Sequence, residues 1–192
     1  MKLNEIIDAV HASKLEAEIC AIIEFELPSS GQSIDPPGDY VIESPTDHEF
    51  LAFDGSGGEF YLLQDGRVLF LGQGSAGVVA RDFCEFIGMT TGLASWRDAL
   101  NFVEDDDLES ARSEWGGYAK KWGLQEALDE PWFYGSDEFK TRTPAEAREQ
   151  IAKYFGVLPL PDPFRALFTA VKTLNGDVRI LWEGKKIPPI GE

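Results

Sequence analysis

The sequence predicts an α+β fold: a central antiparallel sheet of about four to six strands flanked by helices, with a largely helical C-terminal extension. Three observations carry that expectation. Apolar residues recur at helical spacing near the N-terminus, in Leu3, Ile6, Ile7 and Val10 and again in Ile19, Ile22 and Ile23. Short β-rich runs then fill residues 40–71, separated by turns too brief for a parallel crossover. Helix start and stop signals return after that and dominate the rest of the chain. At 192 residues the chain fits one domain, with a core over residues 1–103 and a helical extension over residues 104–192.

Taken in order, the periodicity predicts helix from Leu3 to Phe25. Leu27-Pro28-Ser29-Ser30-Gly31 stops it, and Pro36-Pro37-Gly38 prolongs the loop. Tyr40-Val41-Ile42, Phe50-Leu51-Ala52-Phe53, Phe60-Tyr61-Leu62-Leu63 and Val68-Leu69-Phe70-Leu71 read as strands. Asp54-Gly55-Ser56-Gly57-Gly58 and Asp65-Gly66 read as hairpin turns, the latter with positive φ at its central residues. The near-continuous apolar runs predict a sheet covered on both faces, with the helices as cover. A helix is expected from Val78 to Ile87, and another begins at Ser95 with Trp96, Leu100 and Val103 for burial. Between Glu104 and Gly135, the Gly116-Gly117 pair and Pro131-Trp132-Phe133-Tyr134 predict short helices and packed loops. Thr143-Pro144-Ala145-Glu146 is a capping-box helix start, and that helix ends near Gly156. Phe164 to Leu174 forms a further helix, and Val178 to Trp182 a last strand.

Charge narrows the function classes. The chain holds 17 basic and 34 acidic residues, a net charge of −17. Residues 1–96 carry 4 Lys or Arg against 16 Asp or Glu, and residues 97–192 carry 13 against 18. Such a field repels nucleic acid, whose binding depends on cations neutralising phosphates. It attracts and steers a basic protein instead. No apolar run approaches the length of a membrane span. Met1 to Val10 mixes Lys2, Glu5 and Asp8 with aliphatics, which predicts no signal peptide. Cys20 and Cys84 sit in apolar helical patterns and read as buried free thiols, which points to the reducing cytoplasm.

Candidate chemistry is sparse. Gly72-Gln73-Gly74-Ser75-Ala76-Gly77 matches the G-x-G-x-x-G spacing of a dinucleotide site. Its strand arrives by a hairpin, not as the first strand of a βαβ unit, so a plain strand-to-helix turn is expected. Asp54-Gly55-Ser56-Gly57-Gly58-Glu59 lacks the ligand spacing of a calcium loop. His11 and His48 have no cysteine at metal-ligand spacing, and no G-x-S-x-G elbow occurs. The expectation is therefore no catalytic, cofactor or metal residues. Glu104, Asp105, Asp106, Asp107 and Glu109 form an acidic run that reads either as a solvated helix start or as a surface for a basic partner. Trp96, Trp115, Trp122, Trp132 and Trp182 divide between core and interface in a way the sequence leaves open.

Phe50-Leu51-Ala52-Phe53-Asp54-Gly55-Ser56-Gly57-Gly58 followed by Phe60-Tyr61-Leu62-Leu63 resembles the central block of the SUKH superfamily, which includes Smi/Knr-like regulators and bacterial toxin-immunity proteins. The likeness continues through Val68 to Ala80 and Asp82-Phe83-Cys84-Glu85-Phe86, covering about residues 49–100. Leu27-Pro28 stands where the family's Leu-Pro signal precedes a compact helix, but a loop-like stretch follows it here. Residues 104–192 do not align with the family. The resemblance implies an α+β fold, no catalytic residues, and a cytoplasmic immunity protein that binds a cognate toxin, commonly a nuclease or deaminase. It leaves two alternatives: a housekeeping Smi/Knr-like regulator, or a small-ligand binder or enzyme with a pocket beside the Gly-rich turns.

Overall fold

The computed structural model describes residues 1–28, 40–72, 75–130 and 142–191. Along the chain run α1 (Leu3–Ser13), α2 (Glu16–Ile23), β1 (Tyr40–Glu43), β2 (His48–Phe53), β3 (Glu59–Leu63), β4 (Val68–Gly72) and β5 (Ser75–Ala80). Then follow α3 (Phe83–Gly92), α4 (Trp96–Leu100), α5 (Leu108–Lys121), a 3-10 turn over Glu126–Leu128, α6 (Pro144–Tyr154), α7 (Pro163–Thr173), β6 (Arg179–Trp182) and β7 (Lys185–Lys186). The α+β class holds, with two antiparallel sheets rather than one: β2-β3-β4-β5 and β1-β6-β7.

The larger sheet is buried on both sides, and side-chain alternation sorts its residues. Phe60, Leu62, Val68 and Phe70 face the helices and join Ile19, Ile23, Phe86, Trp96, Ile151 and Leu167 in one core. Tyr61, Leu63, Leu69 and Leu71 face the other way and pack on Ile180, Tyr40 and Ile42. The cover of that second face is thus the small sheet, not a helix layer as the sequence predicts. Its strands β1 and β6 lie far apart in sequence, so no local signal marks their pairing. The helical half is integral to the core: Ala111, Trp115, Ile151, Leu167 and Val171 share one cluster with Ile6 and Phe60.

Several elements differ from expectation for identifiable reasons. The first helix breaks at Lys14, which adopts φ 57°. Ser13 Oγ accepts from the Leu15 amide at 2.9 Å and donates to the Val10 carbonyl at 2.6 Å, a local alternative to the helical ladder. Ser75–Ala80 is a strand, so Val78, Val79 and Ala80 precede the helix; α3 starts only after Asp82, whose side chain accepts from the Glu85 amide. A bulge lies opposite Val68 and Leu69, and Val79 and Ala80 both join the helix-side core. Gly72 pairs with Ser75, so the G-x-G-x-x-G stretch is a hairpin rather than a strand-to-helix turn; Gln73 and Gly74 lie outside the described residues. Such a turn offers no helix N-terminus to a pyrophosphate.

The Asp65-Gly66 turn has positive φ only at Gly66, 98°. The Leu63 carbonyl accepts from the Gly66 amide and the Leu63 amide donates to the Arg67 carbonyl, the three-residue loop with a glycine bulge. Helix α5 runs through Gly116 and Gly117 despite a propensity cost of about 1 kcal/mol each. Tertiary packing outweighs that cost, because Trp115 stacks on Phe164 and contacts Phe102. The capping box at Thr143 forms as expected, and Gly156 ends that helix with φ 64°. The expected loops at Pro36-Pro37-Gly38 and Pro131-Trp132-Phe133-Tyr134 lie outside the described residues.

Candidate functional sites

The Asp-Gly-x-Gly-Gly turn between β2 and β3 is organised by one carboxylate. Asp54 is 4% exposed. Its Oδ1 accepts from the amides of Ser56 at 2.8 Å and Gly58 at 2.5 Å, closing the turn. Its Oδ2 lies 2.7 Å from Arg97 Nη1 on α4, and the same Arg97 nitrogen donates to Glu24 at 2.8 Å. The guanidinium carbon lies 5.5 Å from the Phe70 ring centroid. Gly58 is required because a Cβ there would come within 2.6 Å of Asp54 Oδ2 and 2.9 Å of the Leu71 carbonyl. Spacing alone rejects a calcium loop here. What it does not reveal is Arg97, the cation that the buried carboxylate holds.

Beside this pair lies a polar cavity of about 320 Å³, lined by Glu24, Ser95, Arg97, Asp98 and Asn101 with Phe70 and Gly72. It is the pocket beside the Gly-rich turns that the small-ligand alternative requires. Ser95 donates to Asp98 at 2.9 Å within it.

The acidic run is placed at the start of α5. Asp107 is the N-cap and accepts from the Ser110 amide at 2.8 Å. Asp105 accepts from the Asp107 amide at 3.0 Å, which holds its carboxyl below the usual carboxylate range. Lys172 donates to the Glu104 carbonyl at 3.1 Å and to Asp106 at 3.2 Å. Glu109 accepts from Arg112 at 3.0 Å and lies 3.9 Å from Arg165. Capping and three cations therefore use much of this charge within the molecule. At the edge strand β2, by contrast, the exposed Glu26, Asp47 and Glu49 form no ion pair among the described residues.

The two arginines of the first half are committed elsewhere. Arg67 pairs with Asp65 and Asp177 at 2.8 and 2.7 Å and donates to the Leu174 carbonyl, tying the β3-β4 turn to the segment before β6. The hydrogen bonds that Arg67 donates to Asp177 hold that carboxyl below its usual range. Arg81 pairs with Glu85 at 2.9 Å.

Of the tryptophans, Trp96 and Trp115 are buried, while Trp122 and Trp182 are 60% and 51% exposed. Trp132 lies outside the described residues. Cys84 is exposed and Cys20 half-buried, which corrects the expectation of buried thiols. The apolar periodicity misplaced Cys84, since Phe83 and Phe86 point into the core and their neighbour does not. His11 pairs with Glu16 at 2.8 Å, and His48 stacks edge-on at 5.8 Å from Tyr61. No group of His, Cys, Asp or Glu among the described residues is arranged to hold a metal.

Glu59 is the one feature of β3 that breaks its apolar character. It is 4% exposed and accepts from the Tyr61 hydroxyl at 2.5 Å. Burial pushes its pKa up, and the Tyr61 hydrogen bond offsets only part of that shift. A carboxyl raised above its unfolded value of about 4.3 contributes stability that is complete below that value and lost as pH rises through the folded one. Glu59→Gln, which keeps an acceptor for Tyr61, is expected to exceed the parent in stability at pH 7 to 8 and to match it near pH 4. Urea denaturation across that range measures the difference, and a constant gap at all pH would reject buried ionisation as its source.

Comparisons with protein-family models, curated proteins and solved structures gave no match. What fold and sites together define is an α+β protein with a two-sided antiparallel sheet and an acidic exterior. No helix among the described residues is long and apolar enough to cross a membrane.

Proposed function

We propose that this chain is a non-catalytic protein-binding module, an immunity protein that covers a basic, nucleic-acid-targeting toxin domain in the cytoplasm. One observation carries it: the net charge is −17, and the exposed acids Glu26, Asp47 and Glu49 along the β2 edge have no cation partner among the described residues. Charge on an edge strand also blocks pairing with a stray strand. The same charge accelerates encounter with a basic surface and opposes direct contact with nucleic acid. The run from Glu104 to Glu109 belongs to the same acidic surface in this proposal. Reversing it would remove the cap of α5 as well, so the β2 edge gives the cleaner test.

The chain immobilised and exposed to native-host lysate at low and high salt is expected to retain a basic protein that salt releases. That protein's nuclease or deaminase activity should fall on addition of the chain. Reversal of Glu26, Asp47 and Glu49 to Lys should slow association roughly 10- to 1,000-fold at low salt. Each surface change should move stability by no more than about 0.5 kcal/mol. Unchanged association by the triple variant, or capture with no effect on such an activity, would overturn the proposal. A second reading, small-ligand binding, is favoured by the polar cavity at Arg97; loss of bound ligand on Asn101→Leu, at an exposed lining residue, would mark it.

A further inference from the structure

A second cavity, of about 660 Å³, lies between the end of α3, α6 and the connector that follows α6, within the range of about 300–1,000 Å³ typical of small-ligand sites. Leu128, Ala152, Val157, Leu160 and Pro163 give it apolar walls, Glu149 and Lys153 add one charge of each sign, and Leu158 is 82% exposed. Arg148 lines it from α6 and also lines a smaller neighbouring cavity of about 220 Å³.

Arg148 is the unusual member. It is 7% exposed. Nη1 donates to the carbonyls of Thr91, at 3.3 Å, and Leu93, and Nη2 donates to that of Ala94 at 2.8 Å. These neutral acceptors lie at the C-terminal end of α3, where the helix dipole supplies a partial negative charge. They take three of the four terminal N–H groups but do not balance a whole positive charge. The Nε–H is enclosed and has no hydrogen-bond partner among the described residues. Burial pushes the guanidinium down to about 10. Buried cations are normally paired with an anion, because an uncompensated charge in a poorly solvated site is costly.

We propose that this cavity binds a small carboxylate with an apolar body, its carboxylate on Arg148 and its apolar part along Val157, Leu158 and Leu160. Two spare N–H groups, on Nε and on Nη2, and apolar walls suit a monoanion of this kind. A phosphate dianion would set a second charge against these apolar walls. The strongly acidic protein likewise disfavours a polyanion. Binding at this site is independent of the toxin-immunity reading, since it uses neither the β2 edge nor α5.

Octanoate titrated into the full ¹⁵N-labelled chain provides the test, with octanamide as the neutral probe of matched length. Octanoate is expected to shift the Arg148 Nε–H resonance and the amides from Val157 to Leu160 saturably, and to bind at least about tenfold more tightly than octanamide. Leu158→Asp, a surface change that leaves the core intact, should weaken both probes and octanoate severalfold more than octanamide, since the added charge opposes only the carboxylate. Ala152→Phe, which fills the cavity with Arg148 in place, should abolish both shifts. No saturable shift with octanoate overturns the proposal. So does equal affinity for the two probes, or shifts centred on Arg97 instead of Arg148.

Discussion

Asp54→Ala is expected to destabilise the protein by about 3–5 kcal/mol, the range for removing one partner of a buried ion pair. Two losses combine. The amides of Ser56 and Gly58 lose the acceptor that closes the β2-β3 turn. Arg97, whose side chain is only 15% exposed, keeps Glu24 but loses its fully buried partner. Asp54→Asn separates the terms, because an amide oxygen still accepts from the turn while the charge is gone. Chemical denaturation of Asp54→Ala, Arg97→Met and the double variant should give a coupling energy of about 0.5–3 kcal/mol. Additive single effects would mean that Asp54 acts on the turn alone. The Asp-Gly-x-Gly-Gly sequence is then a device for docking the hairpin onto α4, a structural role that explains its place in a strand-turn-strand block.

Trp96→Ala is expected to cost about 3–5 kcal/mol, as large aromatic truncations in cores do. Trp96 is 1% exposed and sits among Phe60, Phe70 and Phe86 with ring centroids 5.4–6.0 Å away. Its Nε1 donates to the Ile23 carbonyl at 2.8 Å, so truncation also orphans an acceptor at the end of α2. Trp182→Ala and Trp122→Ala should each stay within about 0.5 kcal/mol of the parent, because both side chains are largely in solvent. The same denaturation series ranks the three. A cost at Trp182 equal to that at Trp96 would show that the small sheet depends on its exposed edge and would remove Trp182 as a candidate contact residue.

The two experiments bear differently on function. Loss of the Asp54–Arg97 pair or of Trp96 would weaken partner binding through a less stable scaffold. Changes along the β2 edge should alter association while the scaffold stands. A toxin-binding role therefore predicts a class of variants with native stability and slow association, and that class is where immunity activity should be sought.

How far the sequence carried the fold depends on the range of each signal. Turn and cap residues act on backbone groups a few positions away, so Asp54, Gly66, Thr143 and Gly156 announced their roles directly. The near-continuous apolar runs of β3 and β4 were equally legible, and with them the burial of both faces. Val78, Val79 and Ala80 read as helix but form a strand, since a short apolar run suits either until its neighbour is known. The charge of the acidic run was legible, but its use was not: Lys172, Arg112 and Arg165 reach it only once α5 and α7 are packed. Local chemistry by itself thus determined the class of fold, the turns, most helix starts and the acidic exterior. Tertiary structure alone decided that β6 pairs with β1, that Arg97 meets Asp54, which tryptophans face solvent, and that Arg148 is buried with no carboxylate partner among the described residues. Each of these joins segments distant in sequence, and only the packing of both sheet faces fixes which distant segments meet.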